Sequence, residues 1–175
     1  NTEIERIVGR DAALSAKVLR IANSALFGFG GTISTLSRAL LVLGFNTLKT
    51  IVVAASTESL YRTKGSHFKE QMLWEHSLAV TIAARAVARE CRFIGAEEAF
   101  LGGLLNDIGK TVLDRNVGEG YQTVIESVYN DGRTFIDAER EILGYDHAEV
   151  GAIVVKKWNL APAQETAVRY HHDPE

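Results

Sequence analysis

Proline is almost missing from this chain, and that absence limits its fold more than any other feature. It occurs only at Pro162 and Pro174 of 175 residues. Residues 1–161 therefore lack the side chain that breaks a helix by removing a donor and clashing with the preceding turn. Through the same stretch apolar residues recur at spacings of three and four, the period of a helix with one buried face. The β-branched run Ile153-Val154-Val155 continues a helical pattern and does not start a strand. The expected fold class is all-α.

Punctuation divides the helices. Asp11 suits the N-cap of a helix over 11–23, with Leu14, Val18, Leu19 and Ile21 at helical spacing. Residues 24–35 are glycine-rich and read as a loop. A short helix over 34–43 stops at Gly44, and Asn46 is the expected cap of a helix over 47–62. The polar run at 63–67 is the clearest break, and it separates an N-terminal lobe (1–66) from a second lobe (67–175). In the second lobe helices are expected at 68–90, 96–106, 118–131, 134–143, 146–158 and 162–171, with a further turn from Asp107 to about Arg115. Asp146 and Pro162 suit helix starts. Trp74 and Trp158 read as core residues. Helical sequence at residue 1 and a stop soon after His171-His172 read as the cut ends of a longer chain.

Charge and composition exclude several classes. Hydrophobic residues make up 46%, enough for a packed core. A net charge of −3 gives no electrostatic reason to expect nucleic acid as a partner. No apolar stretch approaches the roughly 20 residues of a membrane span. Cys91 is the only cysteine, so no internal disulfide forms, and a cytoplasmic setting is expected. Its place at a helix end reads as partly buried and inert.

The residues able to carry chemistry are His76, Asn106, Asp107, Lys110, His147, His171 and His172. Histidine and aspartate are common ligands of divalent metals, and helices of a bundle can aim such side chains at one interior point. A metal there could polarise a phosphate and activate water. Plainer readings stand beside this one. Asp107 caps a helix or bonds His76, Lys110 lays its stem along the surface, and His76 is a satisfied core histidine. His147 is an exposed first-turn residue. Asn23, Ser24, Phe27 and Gly28 form a helix C-cap with an aromatic plug.

Four blocks in order carry a resemblance. They are Leu19-Arg20-Ile21-Ala22-Asn23-Ser24-Ala25-Leu26-Phe27-Gly28; Leu73-Trp74-Glu75-His76-Ser77-Leu78-Ala79; Ala99 to Lys110, with Asn106-Asp107-Ile108-Gly109-Lys110 at its end; and Asp146-His147-Ala148-Glu149-Val150-Gly151-Ala152, followed by Trp158-Asn159-Leu160 and His171-His172. Over its whole length the chain resembles the HDOD family, bacterial signalling modules related to HD-type metal phosphohydrolases. The resemblance implies a two-lobed helical bundle whose C-terminal lobe is HD-like.

It also implies a departure. HD phosphohydrolases carry a His-Asp pair where this chain has Asn106-Asp107. An amide oxygen is a weak neutral donor compared with an imidazole nitrogen. The metal ligands that the resemblance supplies are His76, Asp107, His147 and His171, in a site degraded at Asn106. The Gly-Tyr-Pro signature of relatives that cleave cyclic-di-GMP is absent, since Gly144-Tyr145 precedes Asp146.

The expectation is a non-catalytic regulatory domain with no cofactor, or at most a divalent metal. Protein partners, attached signalling domains or a nucleotide would be bound. The alternative is a metal-dependent phosphohydrolase acting on nucleotides or cyclic dinucleotides.

Overall fold

The computed structural model describes residues 2–24, 27–57 and 67–173. Those residues form α-helices joined by turns, and no strand occurs among them. The chain divides into two compact units, Asn1–Arg62 and Thr63–Glu175. Of the expected break at 63–67, residues 63–66 lie outside the described residues.

The first unit contains α1 (Thr2–Val8), α2 (Ala12–Ala22), α3 (Leu36–Leu43) and α4 (Phe45–Thr57). Its core gathers Val8, Val18, Ala22, Ile33, Leu40, Leu48, Ile51 and Ala55. Asp11 caps α2 by accepting from the Leu14 N–H. Asn46 does not cap α4 as expected. Gly44 ends α3 at φ +82°, and α4 begins on the next residue, leaving Asn46 inside its first turn. Asn23 caps the end of α2 and closes the glycine-rich loop. Its amide donates to Leu19 O and Ile33 O, and its oxygen accepts from the Ile33 N–H at 2.7 Å. Phe27 packs half-buried against the core, while Ala25 and Leu26 lie outside the described residues.

The second unit contains α5 (His67–Glu90), α6 (Ala96–Leu105), α7 (Ile108–Val117), α8 (Glu119–Asp131), α9 (Phe135–Leu143), α10 (His147–Lys157) and α11 (Pro162–Arg169). Helix α6 is its centre. Phe100 to Leu105 are all buried, as expected of a helix apolar on every side. It packs against α5 and α11, while α10 packs against α7 and α11, and α8 pairs with α9. Gly103 lets α5 approach, since a Cβ there would sit 3.0 Å from Thr81 Cα. Two surface assignments from the sequence need correction. Trp158 is 41% exposed because α10 ends at Lys157 and the indole lies beyond its last turn. Cys91 is exposed because it follows the last residue of α5 in a turn.

Candidate metal centre

Helix α6 stops at Leu105 and α7 restarts at Ile108, leaving Asn106 and Asp107 in the corner between them. Asp107 sits at the N-cap of α7, yet its carboxylate makes no cap hydrogen bond. It is free to face elsewhere, and it faces α10. The two helices touch backbone to backbone: a Cβ on Gly109 would lie 1.9 Å from His147 O, and one on Gly151 would lie 3.4 Å from Gly109 N. Asp146 caps α10 by accepting from the Glu149 N–H, and the Glu149 carboxylate accepts from the Asp146 N–H in return. That box places His147 at the first helical position, fully buried. The alternative reading of His147 as an exposed first-turn residue is therefore wrong, because α7 covers it. His171 and His172 arrive in the turn after α11.

These elements bring four donors together. Asp107, His147, His171 and His172 each offer one atom, all within 4.8 Å of one another. His147 Nε2 lies 3.3 Å from Asp107 Oδ1, 3.4 Å from His171 Nε2 and 3.1 Å from His172 Nε2. His171 Nε2 lies 3.6 Å from the same Asp107 oxygen. Ligand bonds of 2.0–2.1 Å in a tetrahedron put neighbouring donors about 3.3–3.4 Å apart. These four of the six donor separations bracket that value, and the other two, from His172 to Asp107 and to His171, lie within 4.8 Å, so a small transition ion would have to draw His172 in to complete a tetrahedron.

Proton positions support the fit. His147 Nδ1 lies 2.6 Å from the Glu139 carboxylate, and His171 Nδ1 lies 2.7 Å from Val168 O. A carbonyl or carboxylate oxygen only accepts, so each neutral ring carries its proton on Nδ1 and an open lone pair on Nε2. Two lone pairs facing each other at 3.4 Å repel unless a cation or a proton lies between them.

The electrostatics favour an ionised Asp107 and divide the imidazoles. Burial by itself would raise the Asp107 carboxyl, but the imidazoles of His147 and His171 and the Lys110 ammonium outweigh it and hold it well below the usual carboxylate range. Burial would lower His147, yet Asp107 and Glu139 raise it, which favours the protonated ring, so an ion would have to displace that proton. Burial and the charges of His171, His147 and Lys110 push His172 down to about 4, leaving it neutral as a ligand must be.

The remaining sequence-derived residues stand around this group. His76 Nε2 lies 3.5 Å from Asp107 Oδ2, the other carboxylate oxygen, and its side chain is 57% exposed. It is not among the four gathered donors; His172 is. Lys110 Nζ lies 2.9 Å from Asp107 Oδ1 and 4.6 Å from the Phe135 ring centre. Asn106 is buried, and its Oδ1 has no hydrogen-bond partner. The departure at Asn106 therefore leaves the four-donor group intact. The sequence reading missed Glu139. Its one visible signal is an acid on the α9 stripe of Phe135, Ala138 and Ile142, where an apolar residue would be expected.

Comparison with known proteins agrees with this architecture. An HDOD domain protein of unknown function from Geobacter sulfurreducens superposes with a TM-score of 0.88 at 29% identity, over 98% of this chain and 58% of that one. A Shewanella amazonensis SB2B protein, named as an inferred phosphohydrolase, superposes with a TM-score of 0.85, also at 29% identity, over 99% of this chain and 61% of its own. An uncharacterised protein of Treponema pallidum strain Nichols is 23% identical across 98% of this chain, which spans 33% of that protein. This chain thus covers about three fifths or less of these relatives. A model of the HDOD domain matches residues 1–174, and the chain belongs to the HDOD domain family.

Proposed function

We propose that this domain is a regulatory module that holds one divalent transition ion and turns over no substrate. The observation that carries the reading is the closed donor set. Three imidazoles and one carboxylate gather within 4.8 Å, and four of their six separations are close to those of a tetrahedral site. Zinc sites with four protein ligands are structural, whereas catalytic ones keep a position open for water. Asn106 would offer a second ion only a weak neutral amide oxygen in place of an imidazole nitrogen.

When bound, an ion would supply a positive charge that ties three parts of the unit together. Asp107 would hold it from the α6–α7 corner, His147 from the start of α10, and His171 and His172 from the turn after α11. A change at this point would reach a protein partner, an attached signalling domain or a nucleotide ligand through those elements. The greater length of the relatives is compatible with attached domains. Among the described residues no helix is long and apolar enough to cross a membrane.

A second reading, metal-dependent phosphohydrolase, is favoured by the name of the Shewanella protein and by the intact Asp107 with His76 at its second oxygen. One experiment separates the two. Zinc, nickel or manganese is titrated into the purified domain and into Asp107→Ala, and hydrolysis of nucleotide monophosphates and cyclic dinucleotides is assayed with each metal. The regulatory reading expects one ion per chain, none in the variant, and no turnover. Absence of binding refutes the centre. Turnover that vanishes in Asp107→Ala establishes the hydrolase.

A further inference from the structure

We infer that Glu139 is the positioning residue that turns His147 from a core histidine into a metal ligand. The inference rests on the single-ion reading above and names the group on which that centre depends. Glu139 lies on α9, fully buried, in the core of the second unit. A buried carboxylate must be met by donors, and this one meets three. The His147 ring donates from Nδ1 to Oε2 at 2.6 Å, and the His147 backbone N–H donates to the same oxygen at 2.8 Å. The Tyr121 hydroxyl donates to Oε1 at 3.2 Å.

The pair of bonds from one residue fixes more than either would alone. The backbone bond serves an orphan N–H in the first turn of α10, which the Asp146 box does not reach. The ring bond sets the rotation of the imidazole and places its proton. With the backbone and Nδ1 both held by one oxygen, Nε2 can point only away from Glu139, toward Asp107, His171 and His172. The Tyr121 bond, from α8, holds the second oxygen and stops the carboxylate from turning. Tyr121 is itself buried against Val124 and Ala138. The chain Tyr121–Glu139–His147 therefore runs from a packed core to the lone pair at the centre. A carboxylate behind a ligating imidazole also adds negative charge, which raises the basicity of the nitrogen that faces the cation.

The test separates this role from mere packing. Glu139→Gln keeps an acceptor for the ring and removes the charge; Glu139→Ala removes both. The position of the His147 ring proton is read by nitrogen-15 NMR in metal-free protein at mildly alkaline pH, and affinity for zinc is read by competition with a chromophoric chelator. We expect the Nδ1-protonated form in the parent and in Glu139→Gln, and its loss in Glu139→Ala. Zinc affinity should fall about tenfold in Glu139→Gln and about 100-fold in Glu139→Ala, the span seen when such supporting groups are removed. A parent whose His147 carries its proton on Nε2 overturns the inference, and that measurement needs no variant to fold. Parent-like zinc affinity in Glu139→Gln overturns it as well. If the parent takes up no zinc, the single-ion reading fails, and the ring-proton measurement still decides the role of Glu139.

Discussion

Replacing Gly109 by alanine tests the closest contact in the second unit. The new methyl would lie 1.9 Å from His147 O, 2.7 Å from His147 C and 2.9 Å from Gly151 N. All three are backbone atoms within the first five residues of α10, so no side chain can swing away. Carbon atoms in that position essentially never come within 3.0 Å of a neighbour, so α10 must retreat from α7 by at least 1.1 Å, the difference between 3.0 and 1.9 Å. Overpacking of this kind costs about 1–3 kcal/mol, and the helix-propensity gain of alanine over glycine returns up to about 1 kcal/mol at an interior position. The second term is smaller at a first-turn residue, so the steric cost wins. For a chain of this size each kcal/mol moves the melting temperature by about 2–4 °C. Taking about 0.5 kcal/mol for the alanine gain leaves a net cost of about 0.5–2.5 kcal/mol, so we expect a fall of about 1–10 °C by differential scanning calorimetry. The effect on the centre should be larger in proportion, because the two nearest of these atoms belong to His147. Ligand sets tolerate errors of about 0.5 Å, and 1.1 Å exceeds that, so zinc affinity should fall at least tenfold. Gly30→Ala is the control, since its methyl meets nothing within 4 Å. A Gly109→Ala protein that melts with the parent and binds zinc equally would refute the helix contact and the geometry built on it.

Other outcomes follow from the same geometry. Leu105 is fully buried at the end of α6, and Leu105→Ala should cost about 2–5 kcal/mol in urea unfolding. Asp146→Ala removes the α10 cap and should cost about 0.5–2 kcal/mol at neutral pH. Burial alone would raise the Asp146 carboxyl, but the Glu149 N–H and the Arg140 guanidinium outweigh it and lower it in the fold. Its contribution is thus complete above the unfolded aspartate value of about 3.9 and is lost as pH falls through the lower folded value. The stability gap between parent and variant should therefore stay flat near neutrality and shrink only in acid. The Lys110 ammonium shares Asp107 Oδ1 with the centre, so Lys110→Met should tighten zinc binding by about tenfold in isothermal titration, by removing a like charge.

The helices were legible because their signals are local. Asp11, Gly44 and Asp146 act within one turn of their own positions, and the paucity of proline left the periodicity uninterrupted. Asn46 misled because two helices here are joined directly at Gly44, and a residue of cap type then falls inside the second. Asp107, His147 and His171 were visible as metal-ligand types beside apolar runs. Glu139 was not, because its role exists only once α9 has turned back beside the start of α10. His76 and His172 show the same limit. Both have ligand chemistry, and only packing decides that one meets the far oxygen of Asp107 while the other joins the three remaining donors.

The separation of the donors along the chain has a consequence in time. Asp107 and His172 are 65 residues apart, and His147 lies between them on a different helix. Closing a short loop takes well under a microsecond, whereas contacts this distant wait for the elements between them to dock. Asn23 can find Ile33 early, but the centre assembles only after α7, α10 and the turn beyond α11 are in place. An ion with affinity for that finished arrangement and none for the open chain favours the native state by mass action, by about 2.7 kcal/mol at a free concentration 100 times its dissociation constant. The folded fraction of this domain would then follow the supply of free metal around it.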